Sequence, residues 1–355
     1  MSGGQGGFKP MIRFDRVSIV FGDDPGAALP LMDDGLSREA ISERTGQVLG
    51  VHDCSLDVGE GEIVVLMGLS GSGKSTLLRA VNALNPVARG ACAVRDGETW
   101  IDPHACRPAA LRALRGGRVA MVFQNFALLP WRTVAENVGL GLELAGVAAP
   151  ERRARVAAQL DLVGLADWAG RKVGELSGGM RQRVGLARAF ATEAPVLLMD
   201  EPFSALDPLI RARLQDELLT FQQRLKKTIL FVSHDLDEAV KLGQRIAIMA
   251  GGRIVQQGTP QEILLRPADG YVADFVAHLN PVSVLRAGDL AAPCASCGAA
   301  QVTPRTPMAE VLRLRVAQGG PVRVGAAEGA PADAAIGDEA IFRALVGKRA
   351  ATHGG

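Results

Sequence analysis

The most informative run of the sequence extends from Glu62 to Ser75 and reads Glu-Ile-Val-Val-Leu-Met-Gly-Leu-Ser-Gly-Ser-Gly-Lys-Ser. Its first part, Glu62–Met67, is short and nearly all apolar, which is typical of a strand buried on both faces of a sheet. A glycine-rich turn follows, and then a helical pattern over Ser75–Asn85. A strand, a glycine-rich turn and a helix in this order predict a phosphate-binding loop.

Such a loop binds phosphate through its backbone. Its glycines allow N–H groups to turn inward, and the positive end of the following helix adds to the attraction. Lys74 is placed to reach β- and γ-phosphate oxygens, and Ser75 to offer its hydroxyl to Mg²⁺. The predicted nucleotide-binding residues of the loop are Gly68, Leu69, Ser70, Gly71, Ser72, Gly73, Lys74, Ser75 and Thr76.

Two further apolar runs, Val196–Met199 and Thr228–Val232, predict more buried strands. Helical patterns lie beside them, so the expected core is α/β with a parallel sheet. Asp200 and Glu201 follow the first of these runs directly. Asp200 is expected to hold Mg²⁺ through water, and Glu201 to accept a proton from the attacking water or to orient it. These elements predict a P-loop NTPase without choosing among its classes.

The class is indicated by Leu176–Arg183, which reads Leu-Ser-Gly-Gly-Met-Arg-Gln-Arg and resembles the signature of ABC-type ATPases. Gln124 resembles the family's Q-loop, Ser204–Asp207 its D-loop, and His234 its switch histidine. Phe21 lies where such proteins place an aromatic ring against adenine. The resemblance implies ATP and Mg²⁺ as ligands. It also implies an ABC nucleotide-binding domain with a parallel core sheet, an antiparallel β subdomain and a helical subdomain.

Ser177 is a natural N-cap for a helix over Gly178–Ala191, whose apolar residues recur at helical spacing. Such a helix start offers a hydroxyl and free N–H groups to an anion. The family resemblance implies a head-to-tail homodimer, in which Ser177, Gly178 and Gly179 of one subunit face the γ-phosphate held by the other. Asp207 is expected to shape the same interface.

His234 follows a buried strand, so its ring is expected at the phosphate edge of the sheet. The resemblance implies contact with the γ-phosphate, although a histidine there also fits a structural role. Gln124 is expected to approach Mg²⁺ and the attacking water. The expected catalytic residues are therefore Glu201, His234 and Gln124, and the expected metal-binding residues are Ser75, Gln124 and Asp200.

The apolar segment Phe126–Val134 contains a tryptophan directly after a proline. Two interpretations stay open for each of its residues. One is ordinary core packing, and the other is a groove where the coupling helix of a transmembrane partner docks, as in the family. Sequence alone does not identify exposed apolar patches.

Three finer features resemble the ATPases of choline and glycine betaine importers, most closely the choline members: the insertion Leu31–Val51, the run Met67–Asn82 and the run Val184–Pro195. The resemblance covers about 280 residues. It implies separate membrane permease subunits, a substrate-binding protein that acts through them, and a peripheral position on the cytoplasmic face of the inner membrane. Sulfonate, nitrate and amino acids remain alternative cargoes.

We expect an ATPase domain over residues 1–280, with an insertion at about 22–47 and a helical subdomain at about 125–185. Residues 281–355 are expected to form a small α+β appendage. Thr306–Leu314, Pro321–Val324 and Asp338–Val346 can be read as helix, strand and helix, resembling a single degenerate CBS unit. The sequence Ala-Pro-Ala-Asp-Ala-Ala at 330–335 is a poor strand. Osmotic gating by tandem CBS modules is therefore not expected.

Composition and charge argue against several other classes of protein. The formal net charge is +1, and neither coiled-coil inserts nor strong basic patches are evident, so a nucleic-acid partner is not expected. No apolar run approaches the roughly 20 residues of a membrane span, and no signal peptide is evident. Cys294 and Cys297 form a C-x-x-C pair, for which two loop thiols are favoured over a metal site.

Overall fold

The computed structural model describes residues 8–293, 301–318, 321–325, 334–336 and 340–341. The chain divides into two compact units, residues 1–255 and 256–355. The strands of the described residues are β1 (Pro10–Phe21), β2 (Val48–Gly59), β3 (Ile63–Met67), β4 (Arg89–Asp96), β5 (Thr99–Ile101), β6 (Val119–Val122), β7 (Val196–Asp200), β8 (Thr228–Val232), β9 (Arg245–Ala250), β10 (Arg253–Gly258), β11 (Ala292–Pro293), β12 (Gln301–Val302), β13 (Val322–Val324) and β14 (Ala334–Ile336).

The α-helices of the described residues lie between these strands, singly or in groups of two to four. They are α1 (Pro25–Asp33), α2 (Arg38–Thr45), α3 (Lys74–Leu78), α4 (Pro108–Ala113), α5 (Val134–Val138), α6 (Leu140–Leu144), α7 (Ala149–Leu162), α8 (Gly178–Ala191), α9 (Pro208–Leu225), α10 (Leu236–Leu242), α11 (Pro260–Leu265), α12 (Gly270–Val276), α13 (Pro281–Val284), α14 (Ala287–Leu290) and α15 (Met308–Gln318). Short 3-10 turns lie at Ala166–Trp168 and Val173–Glu175, and a π-helical turn at Leu114–Arg118.

The core of the first unit is a sheet with strand order β10-β9-β3-β8-β7-β6. Within it, β9, β3, β8, β7 and β6 pair in parallel. Every residue of β3, β7 and β8 is buried, as their unbroken apolar runs require. The predicted parallel core is confirmed. Because parallel strands end at one edge, the loops after β3, β7 and β8 meet there.

A second sheet has the order β2-β1-β4-β5, and all its pairings are antiparallel. Apolar side chains from both sheets and from α3 form one hydrophobic cluster, which includes Ile12, Phe14, Leu66, Leu77 and Val232. The predicted antiparallel β subdomain is therefore also confirmed. It brings the C-terminal end of β1, at Phe21, toward the start of α3.

The insertion between β1 and β2 contains two helices. Ser37 caps α2 by accepting a hydrogen bond from the Ala40 N–H at 3.2 Å, and Gly46 ends that helix with a φ of 68°. The capped helix expected here is confirmed. Helix α1 was not predicted from the sequence. It begins at Pro25, where the fixed φ of proline suits the first helical position.

The helix after the phosphate-binding loop is shorter than expected. α3 ends at Leu78, and the chain continues to Asn85 as turns. The backbone N–H groups of Ala80, Val81 and Ala83 donate to carbonyls three residues back, as from Ala80 to Leu77 at 3.1 Å. Ala83 has a φ of 53°, which no α-helix accommodates. The prediction of one helix over Ser75–Asn85 was wrong in its second half.

In the second unit, the sheet order is β11-β14-β13-β12. The expected helix and strand near Thr306 and Pro321 are present as α15 and β13. The expectation of poor strand formation at 330–335 was wrong at its end, because Ala334–Ile336 forms β14 and pairs antiparallel with β13. Pairing and burial outweigh the low β propensity of alanine here. The expected helix at 338–346 lies mostly outside the described residues.

The described cysteines, Cys54, Cys92 and Cys106, are free thiols. Burial raises the pKa of the Cys54 thiol to about 11 and raises that of Cys92 as well. Cys294 and Cys297 lie outside the described residues. In the described part of the chain, the helices are all too short or too polar to cross a membrane.

Candidate nucleotide-binding site

The loop between β3 and α3 depends on glycine at two points. Gly68 has a φ of 142°, and a Cβ atom there would lie 2.2 Å from the Met249 carbonyl oxygen. Gly73 has a φ of 100°, and its Cβ would lie 2.7 Å from the Gly50 carbonyl oxygen. Any larger residue at either point would displace the backbone, so the loop's shape requires glycine there.

Lys74 is buried at the first position of α3. Its Nζ donates to the carbonyl oxygens of Gly68 at 2.8 Å and Leu69 at 2.9 Å. Burial lowers the pKa of the Lys74 ammonium, and the nearby carboxylates of Glu201 and Asp200 partly oppose that shift. The loop thus wraps around the Lys74 ammonium, the group predicted to bind phosphate.

Ser75 and Asp200 meet below the loop. The Ser75 hydroxyl donates to Asp200 Oδ1 at 2.6 Å, and Arg79 Nη2 donates to Asp200 Oδ2 at 2.8 Å. The Asp200 carboxyl is fully buried at the end of β7. A buried carboxylate beside a hydroxyl is an oxygen donor set of the kind that Mg²⁺ prefers.

Glu201 lies where the predicted catalytic residues converge. Gln124 Nε2 donates to Glu201 Oε2 at 3.2 Å, and His234 Nδ1 lies 3.5 Å from the same oxygen. Glu201 follows β7 and His234 follows β8, so the common edge of the parallel sheet brings them together. All three expected catalytic residues therefore form one group.

The backbone of Glu201 adopts a φ of 48°, in the left-handed region that favours glycine. Hydrogen bonds on both sides of the residue hold it there, and one of them runs from the Ser204 hydroxyl to the Glu201 carbonyl at 3.1 Å. Its N–H donates to the Val232 carbonyl at 3.2 Å, and its carbonyl accepts from Gln182 Nε2 at 3.4 Å. Strained backbone of this kind recurs at functional sites, where surrounding structure maintains it.

A cleft of about 560 Å³ lies over this group. That volume is in the range of small-molecule sites. Its lining residues come from β1, β2, the insertion, the phosphate-binding loop and the edge of the core sheet: Phe21, Arg38, Val48, Leu49, Gly50, Ser70, Gly71, Gly73, Lys74, Ser75, Thr76, Gln124, Glu201 and His234. Phe21 is 37% exposed and lines this cleft.

Other predicted site residues lie apart from this lining. Ser177 is exposed and caps α8, accepting from the Met180 N–H at 3.3 Å, and Gly178 and Gly179 begin that helix. Asp207 is exposed and caps α9, accepting from the Ile210 N–H at 3.1 Å. In the described part of the chain, these four residues do not line the cleft of the same subunit.

Three polar residues of the site were not predicted from the sequence. Arg79 lies four residues after Ser75, a helical spacing that could have indicated a shared face. Gln182 lies within the quoted signature run, and its Oε1 also accepts from the Ala205 N–H at 3.2 Å. Arg38 lies in the insertion and lines the cleft. No local pattern linked Arg38 to a loop more than 30 residues away.

A family model described as "ABC transporter" matches residues 51–204. The ATP-binding protein ProV of the glycine betaine/proline betaine transport system of Salmonella typhimurium is 52% identical over 272 residues, which cover 77% of this chain and 67% of that protein. The ATP-binding protein TmoW of the trimethylamine N-oxide transport system of Ruegeria pomeroyi is 46% identical, covering 80% of this chain and 82% of that protein.

Among solved structures, a dimeric ATP-binding cassette in a post-hydrolysis state, bound to ADP and Pi, aligns with a TM-score of 0.60 at 28% identity. The alignment covers 70% of this chain and 98% of that one. The fold class and the enzyme class expected from the sequence, an ABC-type ATPase, are confirmed. The chain belongs to the family of ATP-binding proteins of ABC transporters.

Proposed function

We propose that this chain hydrolyses ATP to energise the import of a quaternary amine, choline or glycine betaine, through separate membrane subunits. The 52% identity to a glycine betaine/proline betaine transport ATPase carries this proposal. The assembled cleft supports it, because it combines the phosphate-binding loop with a carboxylate, an amide and an imidazole in one group. Another small solute remains the alternative cargo.

In this proposal, ATP lies with its adenine against Phe21 and its phosphates on the loop Gly68–Thr76. Lys74 exchanges its two carbonyl contacts for phosphate oxygens. The phosphate oxygens are charged whereas the carbonyl oxygens are neutral, so the exchange pairs the ammonium with an opposite charge. Mg²⁺ would be held by Ser75, Asp200 and Gln124, and it would offset negative charge on the β- and γ-phosphates.

Hydrolysis in this proposal depends on Glu201. Its carboxylate accepts a proton from the attacking water or orients that water toward the γ-phosphate. Gln124 donates a hydrogen bond to Glu201 Oε2. A movement of Gln124 toward Mg²⁺ would therefore change a contact of the Glu201 carboxylate. His234 is 64% exposed, which leaves its ring free to contact the γ-phosphate.

We also propose that two copies assemble head to tail. The exposed start of α8 supports this, because Ser177, Gly178 and Gly179 offer a hydroxyl and N–H groups that line no phosphate site of their own subunit. Asp207 would lie in the same interface. ATP would then be bound between subunits, so hydrolysis would require dimerisation.

The membrane partner is proposed to dock on the helical subdomain, at about 125–185. Trp131 is 67% exposed there, directly after Pro130. A groove of about 570 Å³ is lined by the adjacent Arg132 and by apolar and charged side chains of α5, α6 and α7, among them Val156 and Leu160. Docking would hold the chain at the cytoplasmic face of the inner membrane, and a substrate-binding protein would act through the membrane subunits.

The appendage is proposed to begin near residue 281 and to serve packing or dimerisation. Its short strands β12 and β13, with α15 between them, support a likeness to one degenerate CBS unit.

The docking proposal predicts that Trp131→Ala reduces recovery of the membrane subunits with the tagged chain about tenfold or more, because buried tryptophans dominate many interfaces. The measurement is quantitative copurification from detergent-solubilised membranes, together with the ATPase rate of the reconstituted complex. Trp100→Ala is the matched control, since Trp100 is also exposed but lies on the antiparallel sheet. ATPase activity indifferent to the membrane subunits, with no copurification of wild type, would contradict the proposal.

A further inference from the structure

Arg38, at the first position of α2, extends from the insertion into the nucleotide cleft. Its Nη1 donates to the Gly71 carbonyl oxygen at 2.5 Å, and its Nη2 donates to the Gly50 carbonyl oxygen at 2.6 Å. Gly71 belongs to the phosphate-binding loop, and Gly50 belongs to β2. A single guanidinium therefore connects three segments: the insertion, the edge of the antiparallel sheet and the phosphate-binding loop.

The guanidinium lies in a space that glycines leave open. A Cβ atom on Gly252 would lie 2.6 Å from Arg38 Nη2 and 3.1 Å from the Gly50 carbonyl oxygen. The same carbonyl oxygen would lie 2.7 Å from a Cβ on Gly73. Arg38 therefore contacts the Gly50 carbonyl oxygen, and Gly73 of the phosphate-binding loop packs against the same oxygen.

The contact fixes one peptide group of the loop at both ends. Arg38 holds the carbonyl oxygen of Gly71, and the N–H of Ser72, in the same peptide plane, donates to the Leu69 carbonyl at 3.2 Å. Because a peptide group is planar, holding its oxygen and its hydrogen sets the orientation of the whole unit. The turn from Leu69 to Ser72 is thereby fixed before any ligand arrives.

The charge of Arg38 is poorly placed for its own helix. A cation in the first turn opposes the helix dipole, which favours acidic residues there. Burial also lowers the pKa of the guanidinium, although arginine stays protonated in proteins. Helix stability therefore does not explain an arginine at this position, whereas contact with the cleft does.

We propose that Arg38 is a positioning residue of the nucleotide site, through which the insertion sets the affinity of the phosphate-binding loop for ATP. This inference rests on the proposed nucleotide site. Arg38 preorganises the loop by holding Gly71 against Gly50, and it adds a positive charge to the cleft that Lys74 also faces. Loss of this contact leaves the loop to be ordered by the nucleotide, which lowers affinity. The group at Glu201 is unaffected.

The test is titration of the full chain with the non-hydrolysable analogue AMP-PNP and Mg²⁺, with steady-state ATPase kinetics alongside. Arg38→Ala is expected to raise the Kd about tenfold, as loss of a charged hydrogen-bonding group does. KM for ATP rises in parallel, and kcat at saturating ATP stays within about twofold, the split expected when binding alone is weakened. Arg38→Lys is expected to recover part of the lost affinity, since an ammonium keeps the positive charge but not the planar guanidinium that contacts two carbonyl oxygens at once.

Arg44→Ala is the matched control, because it removes the same charge from the exposed last turn of the same helix. Equal effects of Arg38→Ala and Arg44→Ala, or an unchanged Kd in Arg38→Ala, would overturn the inference. Arg38→Lys keeps the test decisive if Arg38→Ala does not fold. Lys74→Ala distinguishes a failure of the proposed nucleotide site from a failure of the role given to Arg38. If Lys74→Ala leaves the Kd unchanged, the proposed site itself is wrong. If Lys74→Ala weakens binding and the Arg38 variants do not, only this inference fails.

Discussion

Glu201→Gln is expected to bind ATP with near wild-type affinity and to hydrolyse it about 10²–10⁴-fold more slowly, the loss typical of removing a general base. The amide has nearly the same shape as the carboxylate, so contacts with Gln124 and His234 remain geometrically possible. An amide cannot accept the proton of the attacking water as a carboxylate does. Single-turnover hydrolysis and a separate binding titration measure the two quantities.

The control for that variant is Glu98→Gln, which makes the same chemical change at a carboxylate that is 93% exposed and outside the cleft lining. We expect its hydrolysis rate to match wild type within about twofold, as for most surface substitutions. Near-normal turnover in Glu201→Gln would show that another residue activates the water.

Lys74→Ala is expected to weaken ATP binding about 10²-fold, equivalent to ~2.7 kcal/mol. The ammonium lies inside the loop, where it is buried and donates to the carbonyl oxygens of Gly68 and Leu69. Its removal takes away the cation that faces the phosphates and also two contacts that shape the loop. The measurement is the Kd for AMP-PNP with Mg²⁺.

Lys9→Ala is the matched control, since Lys9 is 55% exposed at its side chain and pairs only with the exposed Glu98 in the described salt bridges. Its Kd should equal that of wild type. An unaltered affinity in Lys74→Ala would contradict the role assigned to the loop.

Much of the site could be predicted because its parts are contiguous in sequence. The loop Gly68–Ser75 carries its own context, a buried strand before it and a helix start after it. Asp200 and His234 each follow an apolar run, and parallel strands end at one edge, so their proximity follows from topology. The cap at Ser177 was predictable for the same local reason.

The missed features depend on contacts between distant segments. Arg38 meets Gly71 across 33 positions, and nothing in the sequence near either residue signals the pair. α3 ends at Leu78 although its apolar spacing continues, and the chain runs on to Asn85 as turns. β14 forms from alanines because β13 supplies its hydrogen-bonding partner. Local propensity alone does not decide such cases.

ATP-driven import of a quaternary amine is tested by uptake of radiolabelled choline and glycine betaine in cells that contain this chain, lack it, or carry Glu201→Gln in its place. A sulfate ester and an amino acid serve as control solutes. We expect quaternary-amine uptake to be lost both without the chain and with Glu201→Gln, while uptake of the control solutes is unchanged. Undiminished uptake of both amines in cells with no redundant transporter would contradict the proposed cargo.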